Sequence, residues 1–128
     1  METLITNGIK ISVQPKYEEE YSNPIESKYI FSYLITIENV SREIVQLLRR
    51  HWIIWDSNGV TREVEGDGVV GQQPVINPGE QHTYSSWCNL FSPIGKMFGV
   101  YLMARTSDDH QFLVTIPEFR LIAPPVLN

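Results

Sequence analysis

Apolar residues recur at every second position through most of the chain. Ile9, Ile11 and Val13 alternate with Lys10, Ser12 and Gln14. Tyr29, Phe31, Tyr33, Ile35 and Ile37 alternate with Ile30, Ser32, Leu34, Thr36 and Glu38. Successive side chains of a strand point to opposite faces, so period two marks a strand with one buried face. The second set is wholly aromatic or β-branched, which places that strand at the centre of the core. Asn39-Val-Ser41 reads as a turn. Ile44, Leu47 and Leu48 also fit helical spacing, but Trp52-Ile-Ile-Trp55 favours a strand and Asp56-Ser-Asn-Gly59 ends it in a hairpin signal. We therefore predict a strand over Gln46 to Asp56, paired with Val60 to Glu65. Asn58 and Gly59 are expected to supply the two positive φ angles of a type I′ turn.

Gly66-Asp-Gly-Val-Val-Gly71 and a loop punctuated by Pro74 and Asn77-Pro-Gly79 follow. Strand patterning resumes from Gln81 to Cys88, turns at Ser92-Pro-Ile-Gly95, and continues in Phe98, Val100, Leu102 and Ala104. Asp108-Asp109 turns the chain into Phe112, Val114 and Ile116, and Phe119 and Leu121 close the pattern. Pro117 has no N–H to donate, so it must end that ladder or sit at its edge. Seven to eight such strands predict an all-β fold, an antiparallel β-sandwich of immunoglobulin/fibronectin type III-like type, with a closed barrel as the alternative. No repeat or linker divides the chain, so residues 1–128 are taken as a single domain.

Composition narrows the function classes. The 128 residues carry 10 Lys+Arg against 15 Asp+Glu, a net charge of −5, which argues against nucleic-acid binding through a dense basic face. The single cysteine, Cys88, excludes a disulfide framework and a cysteine-based zinc finger. The start, Met1-Glu-Thr-Leu-Ile-Thr-Asn7, lacks the basic and apolar regions of a signal peptide. No run approaches the length of a membrane span. These features predict a cytoplasmic location and no membrane insertion.

Four features could carry chemistry. Gly66, Gly68 and Gly71 match the G-x-G-x-x-G spacing that lets backbone N–H groups approach a pyrophosphate. The prolines Pro74 and Pro78 exclude the helix such a site normally opens, so most loop N–H groups are expected to be taken up internally. Arg49-Arg50-His51-Trp52 is the densest positive patch, with Arg49 and His51 on one face and Arg50 and Trp52 on the other. Its charged pair is expected to solvate the strand or to pair with acids such as Glu63 and Glu65 across the hairpin. The histidines His51, His82 and His110 form no close pair, and a metal site would need distant residues such as Asp67 or Glu80; no metal is expected. Ser85 and Ser86 lack a nucleophile elbow, and Cys88 has no recognisable base, so we expect no catalytic residues and no enzyme activity. No cofactor is expected.

The ordered motifs Leu47-Leu-Arg-Arg-His-Trp-Ile-Ile54, Gly66-Asp-Gly-Val-Val-Gly-Gln-Gln-Pro74, Pro78-Gly-Glu80, Tyr84-Ser85-Ser86, Pro93-Ile-Gly-Lys-Met97, Gly99-Val-Tyr-Leu-Met103 and Ile116-Pro-Glu-Phe119 resemble the bacterial ApaG family. The resemblance runs from about Gly8 to Pro125. It implies a fibronectin type III or immunoglobulin-like sandwich and a cytoplasmic protein often encoded beside a diadenosine tetraphosphate hydrolase and an rRNA dimethyltransferase. It also carries a family label of cobalt and magnesium efflux. The same domain in some eukaryotic F-box proteins, and in a DNA polymerase delta-interacting protein, resembles a protein-interaction module. Trp87-Cys88 stands where members commonly continue with a small residue.

Two functions follow as expectations. The first is a non-enzymatic protein-interaction module that uses Trp52, Trp87 or an unpaired sheet edge to bind a protein partner or a second copy of itself. The alternative is a nucleotide or pyrophosphate-binding protein using the Gly66–Gly71 loop, with Arg50 or Arg62 as counter-charge.

Overall fold

The computed structural model describes residues 1–124. Among these residues nine strands form: β1 (Glu2–Thr6), β2 (Ile9–Tyr17), β3 (Tyr29–Asn39), β4 (Val45–Asp56), β5 (Thr61–Asp67), β6 (Val75–Ile76), β7 (Gln81–Leu90), β8 (Ile94–Arg105) and β9 (Gln111–Ile122). They make two antiparallel sheets, β1-β2-β3-β7 and β5-β4-β8-β9, with β6 added beside β4. The predicted sandwich is thus present, two strands richer than its seven-strand form through β1 and the two-residue β6.

The alternation reads directly into the core. Ile9, Ile11 and Val13 of β2, and Phe31, Tyr33, Ile35 and Ile37 of β3, are buried against Trp52 and Ile54 of β4 and Val114, Ile116, Phe119 and Leu121 of β9. Glu43 to Arg50 contains no helix. A bulge between Leu47 and Arg49 changes the phase of β4, so Val45 and Leu47 face inward before it and Arg50, Trp52, Ile54 and Asp56 after it. In β8 the core-facing set is Met97, Tyr101 and Met103, while Phe98, Val100 and Leu102 lie on the other face. That strand is apolar on both faces, so composition does not reveal its phase.

Pro117 sits inside β9, an edge strand, where Pro117 and Glu118 stand opposite the single residue Phe98. The bulge and the edge position together accommodate the missing donor. The Asp56–Val60 turn differs from its expected type. Gly59 N–H donates to Asp56 O at 2.9 Å and Asp56 N–H to Val60 O at 2.9 Å, and of the two turn residues only Gly59 has positive φ. This is a three-residue loop with a bulge at Gly59, not a type I′ turn. The two-residue hairpin with both φ angles positive occurs instead at Asn7-Gly8, joining β1 to β2.

Buried polar groups tie the connections down. The Asn39 amide donates to Glu43 O at 2.7 Å and Ile76 O at 2.9 Å, and its oxygen accepts from Ser41 N–H at 3.0 Å and the Ser41 hydroxyl at 2.6 Å. Every polar position of this fully buried side chain is therefore matched, which fixes the crossover from β3 to β4.

The candidate site at the open side of the sandwich

On one side the sandwich is closed by packing of β1 and β2 against β9; on the other, the edge strands β5 and β7 leave a slot between the sheets. Inner-face residues of the β4–β5 hairpin point toward it: Arg50, Trp52 and Ile54 from β4, and their cross-strand neighbours Gly66, Val64 and Arg62 from β5. A cavity of about 140 Å³ opens there, with Tyr33, Ser86 and Trp87 on the opposite side.

The three glycines of the motif have separate structural reasons. Arg50 Nη1 donates to the carbonyls of Asp67 and Gly68, both at 3.0 Å, and the guanidinium lies across Gly66. A Cβ at Gly66 would come within 2.9 Å of the two terminal guanidinium nitrogens, Nη1 and Nη2. Gly68 has φ +63°, donates to Leu48 O at 2.8 Å, and would place a Cβ 2.1 Å from Gln72 O. Val69 and Gln72 exchange backbone bonds of 2.8 and 3.0 Å around Val70-Gly71, both at positive φ. The N–H groups of Gly68, Val69 and Gln72 are therefore taken up internally. Toward Arg50 the loop presents carbonyl oxygens, a polarity opposite to that of a phosphate cradle.

Arg62 crosses the slot at its other end. Its Nη2 donates to Asn89 O, and its guanidinium lies over Phe91, 5.5 Å from the ring centre. Arg50 and Arg62 thus face one slot from opposite ends without meeting. Trp52 is only 3% exposed, with its ring against Tyr33, Phe119 and Tyr101, so the surface contact expected of it is corrected to a core role. Trp87 is 54% exposed on the outer face of β7, with Tyr21 edge-on at 5.4 Å. Tyr21 lies in a 3₁₀ turn, Glu19–Tyr21, and period-two patterning gave no sign of that partner.

The charges pair across the hairpin, with Glu63 and Glu65 facing His51 and not the arginines. Arg49 bonds Asp67 at 2.6 Å, while Glu65 and Glu63 lie 3.2 and 3.8 Å from His51 Nε2. His51, Glu63 and Glu65 form a grouping on the outer face whose ligand atoms lie within 4.8 Å of one another, close enough to share a cation. Asp67 and Glu80, the acids considered beside a histidine, instead engage Arg49 and Asn77.

Behind the slot the ionisable groups are held neutral. Burial raises the phenols of Tyr33, Tyr84 and Tyr101, and the Tyr84 and Tyr101 hydroxyls bond each other. Burial also pushes the Cys88 thiol from 9.0 up to about 11, despite the opposing influence of Arg62. A raised folded-state pKa contributes stability below the unfolded value, lost as pH rises through the folded one, here between about pH 9 and 11. At pH 8 the native thiol is expected to react with a disulfide reagent about 100-fold more slowly than in urea, from thiolate fraction alone. Equal rates in the two states would show that Cys88 is not shielded.

Two sheets in this order, with β5 attached to β4, define a sandwich of the fibronectin type III kind, carrying one lateral slot lined by arginine and aromatic side chains. The chain belongs to the ApaG family: the model of the ApaG domain matches residues 19–105. It is 52% identical over 120 residues to Protein ApaG of Vibrio vulnificus strain YJ016, covering 94% of each chain. Protein ApaG of Methylobacterium sp. strain 4-46 is 49% identical over 121 residues, covering 94% of this chain and 92% of the other. A crystal structure from Bordetella pertussis, of a protein called ApaA, superposes with a TM-score of 0.88 at 42% identity, covering 92% of this chain and 95% of that one. Among the described residues no helix is long and apolar enough to cross a membrane.

Proposed function

We propose that the protein is a non-enzymatic, cytoplasmic protein-interaction module that binds its partner at the open side of the sandwich. The supporting observation is Trp87, which is half exposed on β7, backed by Tyr21 and next to an unpaired sheet edge. Exposed aromatic anchors beside unpaired main chain are the ingredients of strand-edge recognition. The glycine loop gives the nucleotide reading less support, because its Gly68, Val69 and Gln72 N–H groups are engaged and its Asp67 and Gly68 carbonyls face Arg50.

A photo-cross-linking amino acid in place of Trp87 is expected to yield discrete adducts in cells. The same group in place of Leu113, equally exposed on β9, is expected to yield none. Identical adducts from both positions, or none from either, would overturn the reading. Amide shifts at Gly66, Gly68 and Gly71 on titration with ADP would favour the nucleotide alternative instead.

A further inference from the structure

The main chain of β7 presents a strand-addition site. Asn39 N–H donates to Glu80 O at 3.0 Å, so even-numbered residues here face β3. Arg62 reaches Asn89 O from the opposite side, so odd-numbered residues face the slot. Both observations give the same phase, and the β3–β7 register runs without a bulge. The N–H and C=O groups of Thr83, Ser85 and Trp87 therefore line an open edge.

The other sheet edges are blunted. β9 carries Pro117 and a bulge, β5 carries Arg62, Glu63, Glu65 and Asp67, and β1 is five residues long. β7 runs ten residues with no proline, lysine, arginine, aspartate or glutamate. Edges of that kind pair with further strands unless protected. Constant-type immunoglobulin sandwiches fill the position beyond the equivalent of β7 with one more strand. Here β5 has joined β4, and among the described residues no strand takes that position.

Charge says what fits there. Among the described residues neither Arg50 nor Arg62 has a carboxylate within ion-pair distance, although the chain carries a net charge of −5. Both are half-buried and flank the slot. Arg62 is paired with Ile54, so the two arginines lie four residues apart along the hairpin, about 13 Å. Val64 stands between them. A second copy pairing β7 with β7 would bring four arginines to one seam, which disfavours it.

We infer that β7 accepts an extended acidic segment of a partner protein, whose main chain pairs with Thr83, Ser85 and Trp87. Two carboxylates four residues apart meet Arg50 and Arg62, and an apolar residue midway between them meets Val64. This deepens, and rests on, the reading of the protein as an interaction module. Main-chain pairing supplies affinity, and the two charge-assisted contacts set register and preference.

The test uses the full chain and a capped nine-residue peptide of serine and threonine, with glutamate at the third and seventh positions and valine at the fifth. Saturable binding is expected, with the largest amide shifts at Thr83, Ser85 and Trp87. Arg50→Gln with Arg62→Gln, or glutamine in place of both peptide glutamates, is expected to weaken binding about 10-fold or more. Ser85→Pro removes only an outward N–H, so it is expected to fold normally and to lose the peptide. Should the double arginine variant not fold, Ser85→Pro and the glutamine peptide still decide the matter. Binding that survives Ser85→Pro, binding indifferent to the peptide's charge, or dimerisation through β7 would overturn the inference. Failure of the peptide with adducts at position 87 retained would sink this inference alone. Loss of the adducts would sink the interaction reading itself.

Discussion

Gly68→Ala is expected to destabilise the protein by about 3 kcal/mol or more, whereas Gly71→Ala three residues away costs about 1 kcal/mol. Both glycines have positive φ, +63° and +74°, so each alanine meets the same backbone penalty. Only at Gly68 is there also a collision, because the added Cβ would sit 2.1 Å from the Gln72 carbonyl oxygen, and that oxygen accepts the Val69 N–H. Relief requires opening the Val69–Gln72 bridge and drawing buried Val69 from the core. A Cβ added at Gly71 would meet nothing within 4 Å beyond its chain neighbours. Urea denaturation of the two variants measures the difference directly. Equal, small losses would remove the steric account of the motif and return weight to a ligand-binding one.

The second large effect is expected at Asp56. Its carboxylate is fully buried, accepting from Phe91 N–H at 2.6 Å and from the Ser92 hydroxyl. Its own backbone closes the β4–β5 turn, so one residue joins that hairpin to the turn between β7 and β8. Asp56→Ala strands the Phe91 N–H and leaves a void where the buried carboxylate stood, at a cost of about 2–4 kcal/mol. Asp56→Asn keeps one acceptor for Phe91 and offers Ser92 a donor. Because the Ser92 hydroxyl can then bond Ile94 O, 3.0 Å away, the loss should be closer to 1 kcal/mol. Calorimetric melting of both variants checks the order, and a milder loss for alanine than for asparagine would refute it.

Alternation places Arg50 and Trp52 on one face of their strand, and the structure agrees, since alternation is a local property. How deep each lies was not legible. Trp52 enters the core, while Arg50, two positions away, reaches the rim because Gly66 across the strand has no Cβ to stop its guanidinium. Asn-Gly occurs twice, and only Asn7-Gly8 became the two-residue turn. At Asn58-Gly59 the loop instead closes through Asp56, whose carboxylate is anchored on another hairpin. The approach of Tyr21 to Trp87 joins elements that no spacing rule connects.

The sequence by itself determined the fold class, the central strands, the family and the identity of the glycine motif, because period two and turn chemistry act over a few residues. The hairpin signal already pairs β5 with β4; tertiary structure alone decided that no described strand would cover β7, and that Arg50 and Arg62 would flank the same slot. Which edge stays open depends on how the two sheets share their strands. That choice is made by long-range packing across the whole core, and no local pattern encodes it.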